Sequence, residues 1–375
     1  MEPHSKQQAS NVTQSTKPVC ECCQDAATHE RRMPRREFLA NGAGVVLGAS
    51  AIGSVLPAGR VWAQAKAEST AAAATSSPES LVKVLYDMLS PKQRESICFP
   101  WDHQDKERGL LRTHISANWD ITDYFVNDDA FYNKDQQAVI RKIFEGIIHP
   151  DWHKRIDEQL EDDAGGYGEQ NSVAIFGEPG SKQFSFVMTG RHMTIRCDGN
   201  SAEHVAFGGP IFYGHAADGN FNEAANHPNN VFWPQAQAAN NLYKMLDGKQ
   251  QSQALLKEGL PREQRVGFRG KEGPFQGLAV AEMSSDQKEH LQEVVGMLMG
   301  HYRRSDQDEF TQCLKTQGGL DACHLAYYAQ NDIGNDGVWD IWRLEGPSFV
   351  WHYRGAPHVH VWVNMADDPN VKLNA

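Results

Sequence analysis

No stretch of this 375-residue sequence holds the run of about 20 strongly apolar residues that a bilayer-spanning helix needs. The one apolar run, residues 42–58, is rich in Gly and Ala and too weak for a span; an uncleaved anchor is its rival reading. Basic residues are in the minority, 36 Lys and Arg against 48 Asp and Glu, for a formal net charge of −12. Such a chain repels phosphate backbones, which argues against a nucleic-acid partner. Familiar catalytic signatures are missing as well. There is no Gly-x-Ser-x-Gly elbow and no His-Glu-x-x-His, so common hydrolase and zinc-protease readings lose their weight. Gly177-Glu-Pro-Gly-Ser-Lys182 lacks the spacing of a phosphate loop, and Ser285-Asp-Gln-Lys288 reads as a helix cap. Residues 331–337 resemble a calcium loop, but Arg343 stands where the closing carboxylate belongs.

What the sequence does have begins near its start. Met33-Pro-Arg-Arg-Glu-Phe-Leu39, the mild apolar run and then Ala63-Gln64-Ala65 have the form of a twin-arginine export signal, with cleavage expected after Ala65. This predicts a periplasmic or extracellular protein, with the twin-arginine translocase as its partner during export and no stable membrane span after cleavage. That route carries folded chains, often with a cofactor already inserted. Cys20, Cys22 and Cys23 precede the twin arginine and leave with the signal. Of the other four cysteines, Cys313 and Cys323 are close enough to bridge in an oxidising compartment, and buried free thiols are the equal alternative.

Residues 66–77 read as a flexible linker, 78–365 as one domain and 366–375 as a tail. Apolar spacing predicts helices at 78–89, stopped by Ser90-Pro91, and at 135–148. Short runs at 172–176, 184–189, 193–197 and 204–207 predict a β-meander. Helices follow at 234–246, 252–257, 288–302 (opened by a Ser284/Gln287 capping box) and 307–315. The end is β again, at 338–344, 348–353 and 358–363, with turns at Gly346-Pro347 and Gly355-Ala356-Pro357. Strands segregated from helices give an α+β fold, antiparallel sheet with flanking helices. Val84-Leu-Tyr-Asp-Met-Leu-Ser-Pro-Lys-Gln93 matches Asn241-Leu-Tyr-Lys-Met-Leu-Asp-Gly-Lys-Gln250 at six of ten positions. That suggests an internal duplication into two pseudo-repeated halves; shared helix-ending chemistry is the other explanation.

The strongest chemical signal is His358-Val-His360-Val-Trp362. On a strand, residues i and i+2 share a face about 6.5–7 Å apart, so both imidazoles can reach one metal ion. A pair of histidines on a solvated face is the bland alternative. A metal needs a third ligand, and His192, at a strand start after Gly190, is the first choice; His324 is the second. His352 could join the cluster or pair across the sheet. Glu178, in the Gly-Glu-Pro-Gly turn, is a candidate second carboxylate or a solvated turn residue.

At these residues the chain resembles the bacterial and fungal family known only as domain of unknown function 3500. The stretches that carry the likeness are Leu89-Ser-Pro-Lys-Gln-Arg94, Ala174-Ile-Phe-Gly-Glu-Pro-Gly180, Gly190-Arg-His-Met-Thr194, Pro210-Ile-Phe-Tyr-Gly214, Leu320-Asp-Ala-Cys-His-Leu-Ala326, Arg343-Leu-Glu-Gly-Pro-Ser-Phe349 and His358-Val-His-Val-Trp362. The resemblance implies functional histidines at His192, His324, His358 and His360. It departs at Arg191, where relatives often carry another His, and at His352, where they often carry an acid, which demotes His352. Residues 214–234 look like an insertion, a lid or a surface loop.

Two functions suit these residues. One is an exported metal-dependent enzyme, with His358, His360 and His192 as ligands of a zinc, copper, iron or nickel ion and His324 as a fourth ligand or acid/base. The other is a non-enzymatic binding protein for a metal or a small molecule, with Trp339, Trp342, Trp351 and Trp362 shaping a pocket. Trp339 and Trp342 are expected on opposite strand faces.

Overall fold

The computed structural model describes residues 77–219, 223, 227–332 and 338–373. The expected export signal and its expected cleavage site, Cys20, Cys22, Cys23, nearly all of the expected linker, and parts of the calcium-like loop and the 214–234 segment lie outside these residues. No helix among the described residues is long and apolar enough to cross a membrane.

Eight helices and thirteen strands are described. The first half runs α1 (Pro78–Met88), α2 (Pro91–Ile97), β1 (Cys98–Phe99), the small hairpin β2 (Gln104–Asp105) and β3 (Gly109–Leu110), α3 (Lys134–Ile147), α4 (His153–Ala164), β4 (Asn171–Gly177), β5 (Phe184–Gly190), β6 (Met193–Cys197) and β7 (Ile211–His215). The second runs α5 (Trp233–Met245), α6 (Gly248–Ala254), β8 (Leu255–Leu256), β9 (Leu278–Ala279), α7 (Ser285–Met299), α8 (Arg304–Gln317), β10 (His324–Tyr328), β11 (Ile341–Gly346), β12 (Phe349–Arg354) and β13 (Val359–Met365). Eleven strands form one sheet in the order β1-β4-β5-β6-β7-β13-β12-β11-β10-β8, with β9 on β10. Only β1–β4 and β8–β10 are parallel. The fold is therefore α+β, with a mostly antiparallel open sheet.

Apart from the β2–β3 hairpin and β9, the order helix, helix, short parallel strand, helix, helix, four strands occurs twice, and the last strands of the two runs, β7 and β13, pair at the sheet's centre. The ten-residue echo has a hydrogen-bonding counterpart. Gln93 and Gln136 exchange side-chain amide bonds, and Gln136 also donates to the Met88 carbonyl. Gln250 and Gln287 do the same, with Gln287 donating to the Met245 carbonyl. Each glutamine is also the third residue of its helix and closes a capping box there.

Alternation along the strands divides the sheet into two faces. One face, with Ile195, Tyr213, Val361, Val363, Trp351, Tyr353, Trp342 and Leu344, packs against the helices in a single large core. Trp339 packs against that same core beside Tyr243, so Trp339 and Trp342 do not divide between two environments. The other face is polar at its centre: Arg196, Thr194, His360, Trp362, Asn364, His352, Arg343 and Glu345 are all buried there. Segments 98–125 and 256–277 cover it. Trp119 donates to Thr194, Asn364 donates to the Val266 carbonyl, and Arg269 pairs with Glu345 at 2.7 Å.

Most element assignments fall within a few residues of expectation, with instructive exceptions. Ser90-Pro91 ends α1 and at once opens α2, because Ser is a good N-cap and Pro is pre-set for the first helical position. Residues 204–207 do not form a strand. Positive φ at His204, Phe207, Gly208 and Gly209 bends the chain, and the strand forms at β7 instead. Helix α4 escaped notice because its apolar face is thin, chiefly Ile156 and Leu160. Cys313 and Cys323 are unbridged, and burial pushes both thiols up to about 12.

Candidate metal centre

Three imidazoles meet on the polar face beside the central strand pair. His360 lies on β13, and His358 immediately precedes it, so the two share a face as their i, i+2 spacing requires. His192 sits in the two-residue turn between β5 and β6, with φ of 54°, a left-handed backbone that is costly for any residue but Gly. Its amide donates to the Ala117 carbonyl, which fixes the turn against the covering segment. The register places Gly214 opposite His360, and the His192 ring lies over this glycine. A Cβ there would come within 3.3 Å of the ring and 2.3 Å of the Val359 carbonyl oxygen. The absent side chain is what lets His192 reach its neighbours.

The Nε2 atoms of His192 and His360 are 3.2 Å apart, and those of His358 and His360 are 2.9 Å apart. The three ligand atoms all lie within 4.8 Å of one another, and the residues are at most 2 % exposed. With metal–nitrogen bonds of about 2.0–2.1 Å, ligand nitrogens around one ion are separated by about 2.9 Å at right angles and about 3.4 Å at tetrahedral angles. The two short distances fall in that range.

The far sides of the rings explain why the near sides face each other. His192 Nδ1 lies 2.9 Å from Asp163 Oδ2, approached at an angle to the N–H direction. Asp163, next to the last residue of α4, also accepts from Gln159 Nε2 and the Ala216 amide. Burial works to raise this carboxyl, but the His192 and His215 rings and its hydrogen bonds hold it below its ordinary value. His360 Nδ1 lies 3.2 Å from Glu263 Oε1, the same oxygen that Arg354 approaches at 3.5 Å. A carboxylate can only accept, so the His360 proton is on Nδ1 and its Nε2 lone pair turns inward, toward the Nε2 atoms of His192 and His358. The His360 lone pair then faces two nitrogens. His192 or His358 can donate one proton to it, but a single lone pair serves only one of them. Protonating His360 is no remedy, because burial first, then Arg354 and His192, push its pKa well below the ordinary value. A cation placed among the three nitrogens satisfies all of them at once. Carboxylates on the far nitrogens are also what metal-bound histidines usually have behind them.

His324 is not brought into this group. It lies on β10, three strands from β13, and in register with Asn364 rather than His360, so about 4.8 Å per strand puts it more than about 14 Å away. Its ring stacks on Phe275 at 5.2 Å. Glu178 is exposed in its turn. His352 is on the same sheet face as His360, one register step away. Asp163, Glu263 and Arg354 were not singled out by sequence reasoning, since a helix-end Asp-Asp and a loop Glu carry no spacing signal; only the fold places them.

The family model described as "Protein of unknown function (DUF3500)" matches residues 71–366, and the chain belongs to that family. No curated protein and no solved structure matches it.

Proposed function

We propose that this DUF3500 member is an exported metalloprotein in which His192, His358 and His360 bind one zinc, copper or iron ion through Nε2, and that it is a metal-dependent enzyme. The supporting observation is the convergence of the three buried Nε2 atoms, 3.2 Å between His192 and His360 and 2.9 Å between His358 and His360, with a carboxylate behind two of the rings. Three protein ligands leave room for a water or substrate at a fourth position, the arrangement of catalytic rather than structural sites. The enzyme works in the periplasm or outside the cell, after folding and metal loading before twin-arginine export. All-nitrogen ligation suits several late transition metals and does not choose among them.

One observation favours the alternative of a non-enzymatic metal-binding protein: the triad is closed off from solvent. Cobalt(II) substitution separates the two. An enzyme takes up one equivalent and its visible d–d bands change on adding azide, which needs an exchangeable position. One equivalent with bands indifferent to azide supports the binding protein, and no uptake removes the metal from either reading.

A further inference from the structure

Beside the triad, the polar face carries a row of hydrogen-bond donors. Trp362, His352 and Arg343 are mutual neighbours in register across β13, β12 and β11. All three are at most 2 % exposed. Trp362 Nε1 and Arg343 Nη2 meet no hydrogen-bond partner among the described residues. Arg343 Nε donates to His352 Nδ1 at 3.2 Å, and since a guanidinium cannot accept, the His352 proton is on Nε2. Burial, then Arg343, push the His352 pKa well below its ordinary value, so this ring is a neutral donor. Buried donors without acceptors are rare in folded proteins, and here they adjoin the best candidate site.

Charge points the same way. Glu345 Oε1 is 2.7 Å from Arg269 and 3.7 Å from Arg343, so one carboxylate serves two guanidiniums. Farther along β12, Arg354 shares Glu263 with His360. Asn364 Oδ1, two residues after Trp362, and Glu263 Oε2 are the acceptors of this group that meet no partner among the described residues.

We propose that Trp362, His352 and Arg343 form the seat of an oxyanion, so that the ligand of this protein carries a carboxylate or comparable anionic oxygen group, held here while another part of it reaches the histidine triad. Trp362 and His360 are two residues apart on one strand face, so seat and triad lie about 7 Å apart, within the span of a small molecule. Asn364 would accept a hydroxyl or amide proton from the same ligand. The proposal rests on the metal reading only for what happens at the triad; the donors and their charge are independent of it.

The test is calorimetric titration of the purified protein, metal-loaded and metal-stripped, with acetate, inorganic phosphate and the neutral isostere acetamide. Acetate or phosphate should bind both forms, and acetamide at least tenfold more weakly. Which anion binds tighter separates a carboxylate from a phosphate ligand. Trp362→Phe removes one donor at similar bulk, and Arg343→Gln removes the charge. Each should weaken anion binding about tenfold, the worth of one hydrogen bond to a charged group, at unchanged metal stoichiometry. Circular dichroism checks their folding, and a folded Trp362→Phe suffices if Arg343→Gln does not fold. The proposal is overturned if no anion binds either form, if acetamide binds as well as acetate, or if Trp362→Phe binds acetate like the parent. Anion binding by a protein that takes up no metal would overturn the metal reading and leave this one standing.

Discussion

His192 joins three constraints in one residue: a left-handed backbone, a carboxylate behind the ring and a glycine beneath it. Asp163→Asn keeps the size of the backing group and removes its charge. It should weaken metal binding about 10- to 100-fold in competition with a chelator, the usual cost of removing such a partner; unchanged affinity would show that Asp163 does not tune the ring. Gly214→Ala puts a methyl group against the Val359 carbonyl and the His192 ring. It should cost about 1–3 kcal/mol of stability in denaturant unfolding, as overpacking does, and lower metal uptake as well. A third residue-scale prediction concerns His301, buried among Tyr213, Phe232, Tyr302 and Trp152. Burial lowers its pKa from 6.5 to about 3. The folded state thus binds fewer protons than the unfolded chain between pH 6.5 and 3, so stability falls as pH drops through that window, by up to about 1.4 kcal/mol per unit. His301→Phe should flatten the acid side of the melting-temperature profile, and an unaltered slope there would contradict this.

At the scale of elements, the sequence was legible where periodicity or capping was strong. The Ser284/Gln287 box opens α7 as expected, and the His358-x-His360 spacing correctly implied one shared strand face. It was illegible where an element depends on distant partners. Strand β10 lies between β11 and the two-residue β8 and β9, which are too short to carry a local pattern. The choice of His192 over His324 could not be made from spacing. The turn that presents His192 is closed by Ala117, and its room is made by Gly214, both far away in sequence. Capping glutamines give this scale its own prediction. Gln136→Ala strips the reciprocal bond from Gln93 and takes the partner from the Met88 carbonyl and the Asn133 amide. It should destabilise by about 1–3 kcal/mol, and Gln287→Ala by a similar amount, because the two networks are alike. Denaturant midpoints that differ widely between the two variants would show that the halves are not energetically equivalent.

In the whole molecule, the helices are all spent on one face of the sheet, leaving the other to two long covering segments. That division explains how so many buried polar groups collect at the sheet's centre: the covering segments bring Glu263 to His360 and Arg269 to Glu345, while β7 and β13 bring the two halves' last strands together. The twin-arginine export proposed above would carry such a centre across already assembled. The most direct test is the metal content, by mass spectrometry, of the protein purified after native export, beside a His358→Ala/His360→Ala double variant. The account predicts close to one equivalent of a single transition metal in the parent and its loss in the variant. A parent without metal, or a variant that keeps the same metal, would contradict it.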